Sequence, residues 1–186
     1  MSSVSQQNDW LVQPFNQPAS ITEDQGRLVL SNGLIARSFV TAPNFATVDY
    51  INLVTGSTLL RGIKPEALIT IDGQQVEIAG LIGQPDYAYL DLDWLVDLKS
   101  NPEAFQFVRY SVSQIEALYP WLAKRYAPPA EYPPKGIRLS VDYVAPSAFE
   151  GLEISIHYDL YQGIPVLSKQ ISINNWSERA LFIEGL

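Results

Sequence analysis

The chain contains no cysteine and a single histidine. Without thiols it can form no disulfide, no zinc-thiolate site and no thiol nucleophile, and its redox compartment stays open. Positive charge is also scarce: 12 Lys and Arg stand against 20 Asp and Glu, a formal charge of −8. With no basic cluster longer than Lys124-Arg125, the chain lacks the several cations on one face that grip phosphates, and nucleic acid is excluded as a partner. Long apolar runs are missing too. None approaches the ~18 residues that cross a bilayer, so no membrane span is expected. The stretch before Arg27, the first basic residue, has neither the charged nor the apolar region of a signal peptide. A phosphate-cradling glycine loop, a nucleophile elbow and an HExxH motif are all absent, and no cofactor is expected.

What is present is enough apolar surface for a core. Of 186 residues, 47% are apolar and 17% charged, against about 25% charged in an average globular chain. The length fits one domain. Residues 1–26 are rich in Ser, Gln, Asn and Pro and read as a tail that becomes ordered toward Gly26. From Arg27 to the end, short runs of Val, Ile, Leu, Phe and Tyr alternate with turn residues, the pattern of about ten strands in an all-β antiparallel sandwich. ALITI runs through Asp72-Gly73 into QQVEI, the strongest hairpin signal in the chain. Helical spacing is confined to LDWLVDLKS, with Leu92, Leu95 and Leu98, and to QIEALYPWLAKRY, which Pro120 interrupts; one or two short helical turns are predicted.

Two stretches depart from the strand texture. Residues 84–103 carry Tyr87, Tyr89, Trp94 and four aspartates; residues 117–136 carry Tyr119, Trp121, Tyr126 and Tyr132 among prolines that include Pro128, Pro129, Pro133 and Pro134. Both read as excursions off the sheets, where function concentrates. Trp94, Trp121, Arg125, Tyr126 and Tyr132 are the candidate ligand-binding residues: flat rings stack on the C–H faces of sugars while Arg and carboxylates bond hydroxyls. The same mixture suits a domain interface, where Trp, Tyr and Arg are enriched.

Other chemistry-bearing residues read as structural. Ser155, His157 and Asp159 spell a hydrolase trio, but neighbours two apart on a strand point the same way about 6.5 to 7 Å apart, so none is aimed as the base of another. A polar sheet face is expected there, and no catalytic residue is assigned. Counting from Asp91, an EF-hand would need Gly and Glu where Val96 and Pro102 stand, so Asp91, Asp93 and Asp97 read as a solvated loop and no metal site is assigned. Lys169 interrupts the apolar alternation of Leu167, Ile171 and Ile173; an inward Lys must snorkel or pair with a carboxylate. Arg109 is expected to share a face with Phe105 and Phe107 and to pair likewise.

The segment LEISIHYDLYQGIPVLSKQISINN, residues 152–175, together with SNGLIARSFV and ATVDYINLVTGSTLLR near the start, resembles the N-terminal β-supersandwich of α-galactosidase-type glycoside hydrolases, a galactose-mutarotase-like fold. In its turn, Gly163 permits positive φ and Pro165 fixes the start of the next strand. The resemblance spans residues 27–184 and its motifs are structural. It implies a secreted or periplasmic protein in which this domain precedes a catalytic (β/α)₈ barrel. Nothing similar to that barrel is present, so the chain is expected to be either a truncated or a half-size version of the domain. The resulting expectation is a non-catalytic module whose partners are a C-terminal catalytic domain of the same polypeptide and carbohydrate. A self-contained carbohydrate-binding module is the alternative. A mutarotase-like enzyme would require His157 paired with a carboxylate in a cleft.

Overall fold

Alternating apolar residues need a facing layer, and two larger sheets supply it for each other. The computed structural model describes residues 9–24, 26–126 and 130–185. Pro128 and Pro129, named above for an extended course, lie outside the described residues.

The strands are β1 Ser20–Asp24, β2 Arg27–Ser31, β3 Ile35–Val40, β4 Ala46–Asn52, β5 Ser57–Thr58, β6 Ala67–Ile71, β7 Gln74–Ile78, β8 Gln106–Gln114, β9 Gly136–Val144, β10 Leu152–Tyr161, β11 Leu167–Asn175 and β12 Ile183–Gly185. One sheet runs β1-β2-β3-β4-β5, a second β11-β10-β9-β8, and a third, smaller one β12-β6-β7. Neighbours within each sheet are antiparallel, so the chain is all-β. Strand β1 occupies the stretch that the sequence marks as tail becoming ordered, and pairs along its whole length with β2.

The core lies between the sheets. Leu28, Leu30 and Phe39 of the five-stranded sheet meet Leu139, Val141, Tyr143, Ile154, Ile156 and Tyr158 of the four-stranded sheet, with Ile69, Ile71, Val76 and Ile78 of the small sheet closing the cluster. Phe39 and Tyr158 face each other across the sheets with ring centroids 5.1 Å apart. Each such side chain removed from water stabilises the fold by about 1.5–3 kcal/mol. Strand β10 follows the alternation read from its sequence: Leu152, Ile154, Ile156, Tyr158 and Leu160 are buried.

Turn chemistry sets the registers. Asp72 and Gly73 sit at φ 48° and 77° between the paired Ile71 and Gln74, as a two-residue turn with both central residues at positive φ requires. Asn44, buried where the sheets join, donates from Nδ2 to the Phe105 carbonyl at 3.1 Å and accepts at Oδ1 from Phe107 N at 2.8 Å. Phe105 N in turn donates to the Glu77 carbonyl at 2.9 Å, fastening the small sheet to the start of β8.

Residues 84–103 contain no strand, yet Leu90, Leu95 and Leu98 of this stretch pack with Ala46, Val48, Ile63 and Leu81 as a second apolar cluster on the far side of β4. Helical structure among the described residues is confined to two short turns, as the sequence predicts: the spacing of Leu92, Leu95 and Leu98 gives the 3-10 turn Leu92–Val96, capped by Asp91, and the second is Ser147–Phe149, while residues 114–126 contain no helix. One sequence expectation changes, at Arg109. Arg109 does not share a face with Phe105 and Phe107. A bulge between Phe107 and Arg109 leaves Val108 unpaired and sets Arg109 opposite Asp142 on the outer face, because one inserted residue reverses the phase of a strand.

Candidate functional site

The outer face of the four-stranded sheet is polar across all of its strands. Paired residues on adjacent strands point to the same side, so the register aligns Arg109, Asp142, Ser155 and Ser172, then Ser111, Ser140, His157 and Gln170, then Ser113, Arg138, Asp159 and Ser168. The Ser155 hydroxyl donates to Asp142 Oδ1 at 2.7 Å, and Arg109 Nε donates to Asp142 Oδ2 at 2.8 Å. His157 has Nδ1 2.8 Å from Ser140 Oγ and Nε2 3.0 Å from Ser172 Oγ. Arg138 grips the buried Asp159 at 2.6 and 2.7 Å. Ser155, His157 and Asp159 therefore turn to three different partners, as strand geometry demands. Burial, and then the charge of Arg138, hold the His157 imidazole below its ordinary pKa against the opposing pull of Asp159 and Asp142.

Near one end of this face, Val108, Arg109, Asp142, Val144, Glu153, Ser155 and Asn174 line a pocket of about 180 Å³. The indole N–H of Trp176 donates to Glu153 Oε2 at 3.0 Å, leaving the ring 72% exposed. A larger cleft of about 720 Å³ opens between residues 61–64 and 81–88. There the Arg61 guanidinium lies 5.2 Å from the Tyr89 ring centroid and donates to the Tyr87 carbonyl at 3.2 Å.

Of the aromatic residues selected from the sequence, some meet and others do not. Tyr132 lies 5.7 Å from Trp121 and 5.6 Å from Tyr119, so three rings cluster at the tip of the β8–β9 hairpin. Arg125 sits 5.5 Å from the ring of its neighbour Tyr126, which is 87% exposed. Trp94 belongs to the 3-10 turn of the other stretch, and among the described residues no ring contact joins it to the rest.

The most heavily partnered carboxylate, Glu66, was not legible as special. It is buried and accepts from Arg37 Nη2 at 3.1 Å, Lys169 Nζ at 3.2 Å, Thr47 N at 2.7 Å, Thr47 Oγ1 at 2.7 Å and the Tyr158 hydroxyl. Burial pushes its pKa upward, but Arg37, Lys169 and the hydrogen bonds from Tyr158 and Thr47 outweigh that and hold it below the ordinary value. The Tyr143 hydroxyl is buried close by and, among the described residues, has no hydrogen-bond partner. Burial first, and then the Glu66 charge, push its pKa well up. Among the described residues no three His, Asp or Glu side chains are grouped to hold a metal ion, and no helix is long and apolar enough to cross a membrane.

Trp176 was missed although a signal existed. It is an aromatic residue standing directly after the last residue of β11, and its indole N–H reaches Glu153 on the outer face. In comparison with known proteins, the chain matches no family model, no curated protein and no solved structure.

Proposed function

We propose that this chain is a non-catalytic β-sandwich module that docks on a catalytic domain, in the manner that its resemblance to the N-terminal domains of α-galactosidase-type glycoside hydrolases implies, in a protein exported from the cell or to the periplasm. One observation carries the docking. Tyr110 and Val112 pair with Val141 and Leu139 and so point to the core side of the sheet, yet they are 40% and 45% exposed while their partners are fully buried. Seven of the nine residues of β8 are exposed. The apolar side of this edge strand extends past the layer that covers the rest of the sheet, and Leu118, Tyr119, Trp121 and Leu122 continue the exposed apolar surface into the hairpin tip. Uncovered apolar surface of this kind marks a protein-protein contact. The non-catalytic assignment is supported by the commitment of Ser155, His157 and Asp159 to separate partners; the mutarotase-like alternative asks for His157 against a carboxylate, and its nitrogens face Ser140 and Ser172 instead.

The test has two arms. Incubation with aryl α- and β-glycosides is expected to give no turnover, and turnover lost on replacing one carboxylate would overturn the reading. The coding sequence beyond Leu186 is expected to contain a barrel-sized segment. A stop codon there would favour a second reading, a self-contained carbohydrate-binding module, which the meeting of Tyr119, Trp121 and Tyr132 supports. That second reading predicts a glycan-induced fluorescence change lost in Trp121→Ala.

A further inference from the structure

We infer that the pocket on the outer face of the four-stranded sheet is a binding site for a single neutral sugar ring, with Trp176 as its stacking platform. The inference is independent of the docking reading, since it concerns the opposite face of the sheet and would stand if β8 had no partner.

The pocket crosses every strand of the sheet: Val108 and Arg109 come from β8, Asp142 and Val144 from β9, Glu153 and Ser155 from β10, and Asn174 from β11. The bulge at Val108 creates it by turning Arg109 outward, the re-aiming of a side chain that bulges perform beside functional sites. Its volume of about 180 Å³ falls below the ~300 Å³ at which pockets for drug-sized ligands begin. It corresponds to about six waters at ~30 Å³ each, a space suited to one pyranose ring rather than an extended chain.

The polar groups suit hydroxyls. Each oxygen of Asp142 accepts one protein hydrogen bond, from Ser155 and from Arg109 Nε, and a carboxylate oxygen has room for two. Among the described residues, one acceptor position per oxygen is left for a ligand. Arg109 uses only Nε in this contact, so its terminal nitrogens can donate, as can the Asn174 amide. Vicinal hydroxyls, which donate and accept at once, match paired acceptors and donors held this way. Charge argues against an anion: Arg109 is already neutralised by Asp142, and Glu153 adds a negative charge to the wall.

Trp176 stands beside the pocket, bonded to Glu153 of its wall. Its N–H is spent on Glu153, its backbone N–H bonds the Gly151 carbonyl at 2.8 Å, and its ring is exposed. An indole fixed at its polar edge offers its electron-rich face to the polarised C–H groups of a sugar.

The test uses the full chain, with calorimetry and tryptophan fluorescence against glucose, galactose and mannose, and glucuronate and glucose 6-phosphate as charged controls. Saturable millimolar binding of a neutral hexose is expected, with the charged sugars weaker. Trp176→Ala and Asp142→Asn are each expected to weaken it about tenfold, with melting curves confirming that both variants fold. Absence of saturable binding by the parent chain overturns the proposal. So does binding that survives both substitutions, or binding lost in Trp121→Ala alone, which would place the ligand at the hairpin tip.

Discussion

Lys169 of β11 reaches Oε2 of Glu66 at 3.2 Å across 103 residues of chain, and also donates to the Glu66 carbonyl. With Arg37 from β3 on the same carboxylate, this contact ties the two large sheets to the segment that leads into β6. A buried acid flanked by two cations is a structural commitment: removing the acid leaves two charges without an anion.

Glu66→Gln is therefore expected to cost about 3–5 kcal/mol of unfolding free energy, the penalty of breaking a buried ion pair from one side. Lys169→Met should cost less, because Arg37 still neutralises Glu66 and the Met stem fills the same space. Urea unfolding at neutral pH measures both, and equal losses would contradict the hierarchy.

Stability should fall as pH drops, in two windows that open at different pH. The His157 imidazole is held below its ordinary pKa of 6.5, so the unfolded chain takes up its proton first, and stability present above 6.5 is lost as pH drops toward the folded value. Glu66 is held below 4.5, so its contribution is present above 4.5 and is lost as pH falls through its own folded value. His157→Gln should flatten the upper window alone, and Glu66→Gln the lower, in unfolding midpoints measured across pH.

Asp72 performs two tasks that substitution can separate. It pairs with Arg179 and accepts from Phe182 N at 2.9 Å, and its backbone sits at φ 48°. Asp72→Asn keeps a residue that tolerates positive φ and should cost no more than about 1 kcal/mol, as exposed ion pairs do. Asp72→Ala adds backbone strain of about 1 kcal/mol or more. Thermal melts rank the two, and limited proteolysis should cut near β12 sooner in the Ala variant.

Tyr110→Lys combined with Val112→Lys should change the stability of the isolated chain by no more than about 0.5 kcal/mol per site, as exposed positions do. A loss of several kcal/mol would mean that both side chains are already covered, and the docking surface would have to be sought elsewhere.

Much of the sandwich was readable because it depends on local chemistry. The alternation of β10 named its buried face residue by residue, and Asp72-Gly73 named its hairpin. That Lys169 must snorkel or pair with a carboxylate follows from its place in an apolar alternation, but Glu66 as its partner does not, since the two residues, 103 apart in the chain, meet only in the assembled sandwich. Arg109 lies on the face opposite to the one its alternation predicts, because a bulge is a property of pairing between strands, and nothing in FQFVRYSV marks Val108 as the extra residue. The meeting of Trp121 and Tyr132 was equally hidden: an irregular segment has no period from which proximity can be read.

By itself the sequence determined the fold class, the turn positions and the absence of thiol chemistry, since strand period, positive-φ turns and composition act within a few residues of one another. Tertiary structure alone decided which acid neutralises Lys169, which face Arg109 joins, how far the apolar side of β8 is covered and where Trp176 stands relative to Glu153. Each of these depends on register and on the stacking of sheets, where one inserted residue or one uncovered strand edge reverses what a side chain faces.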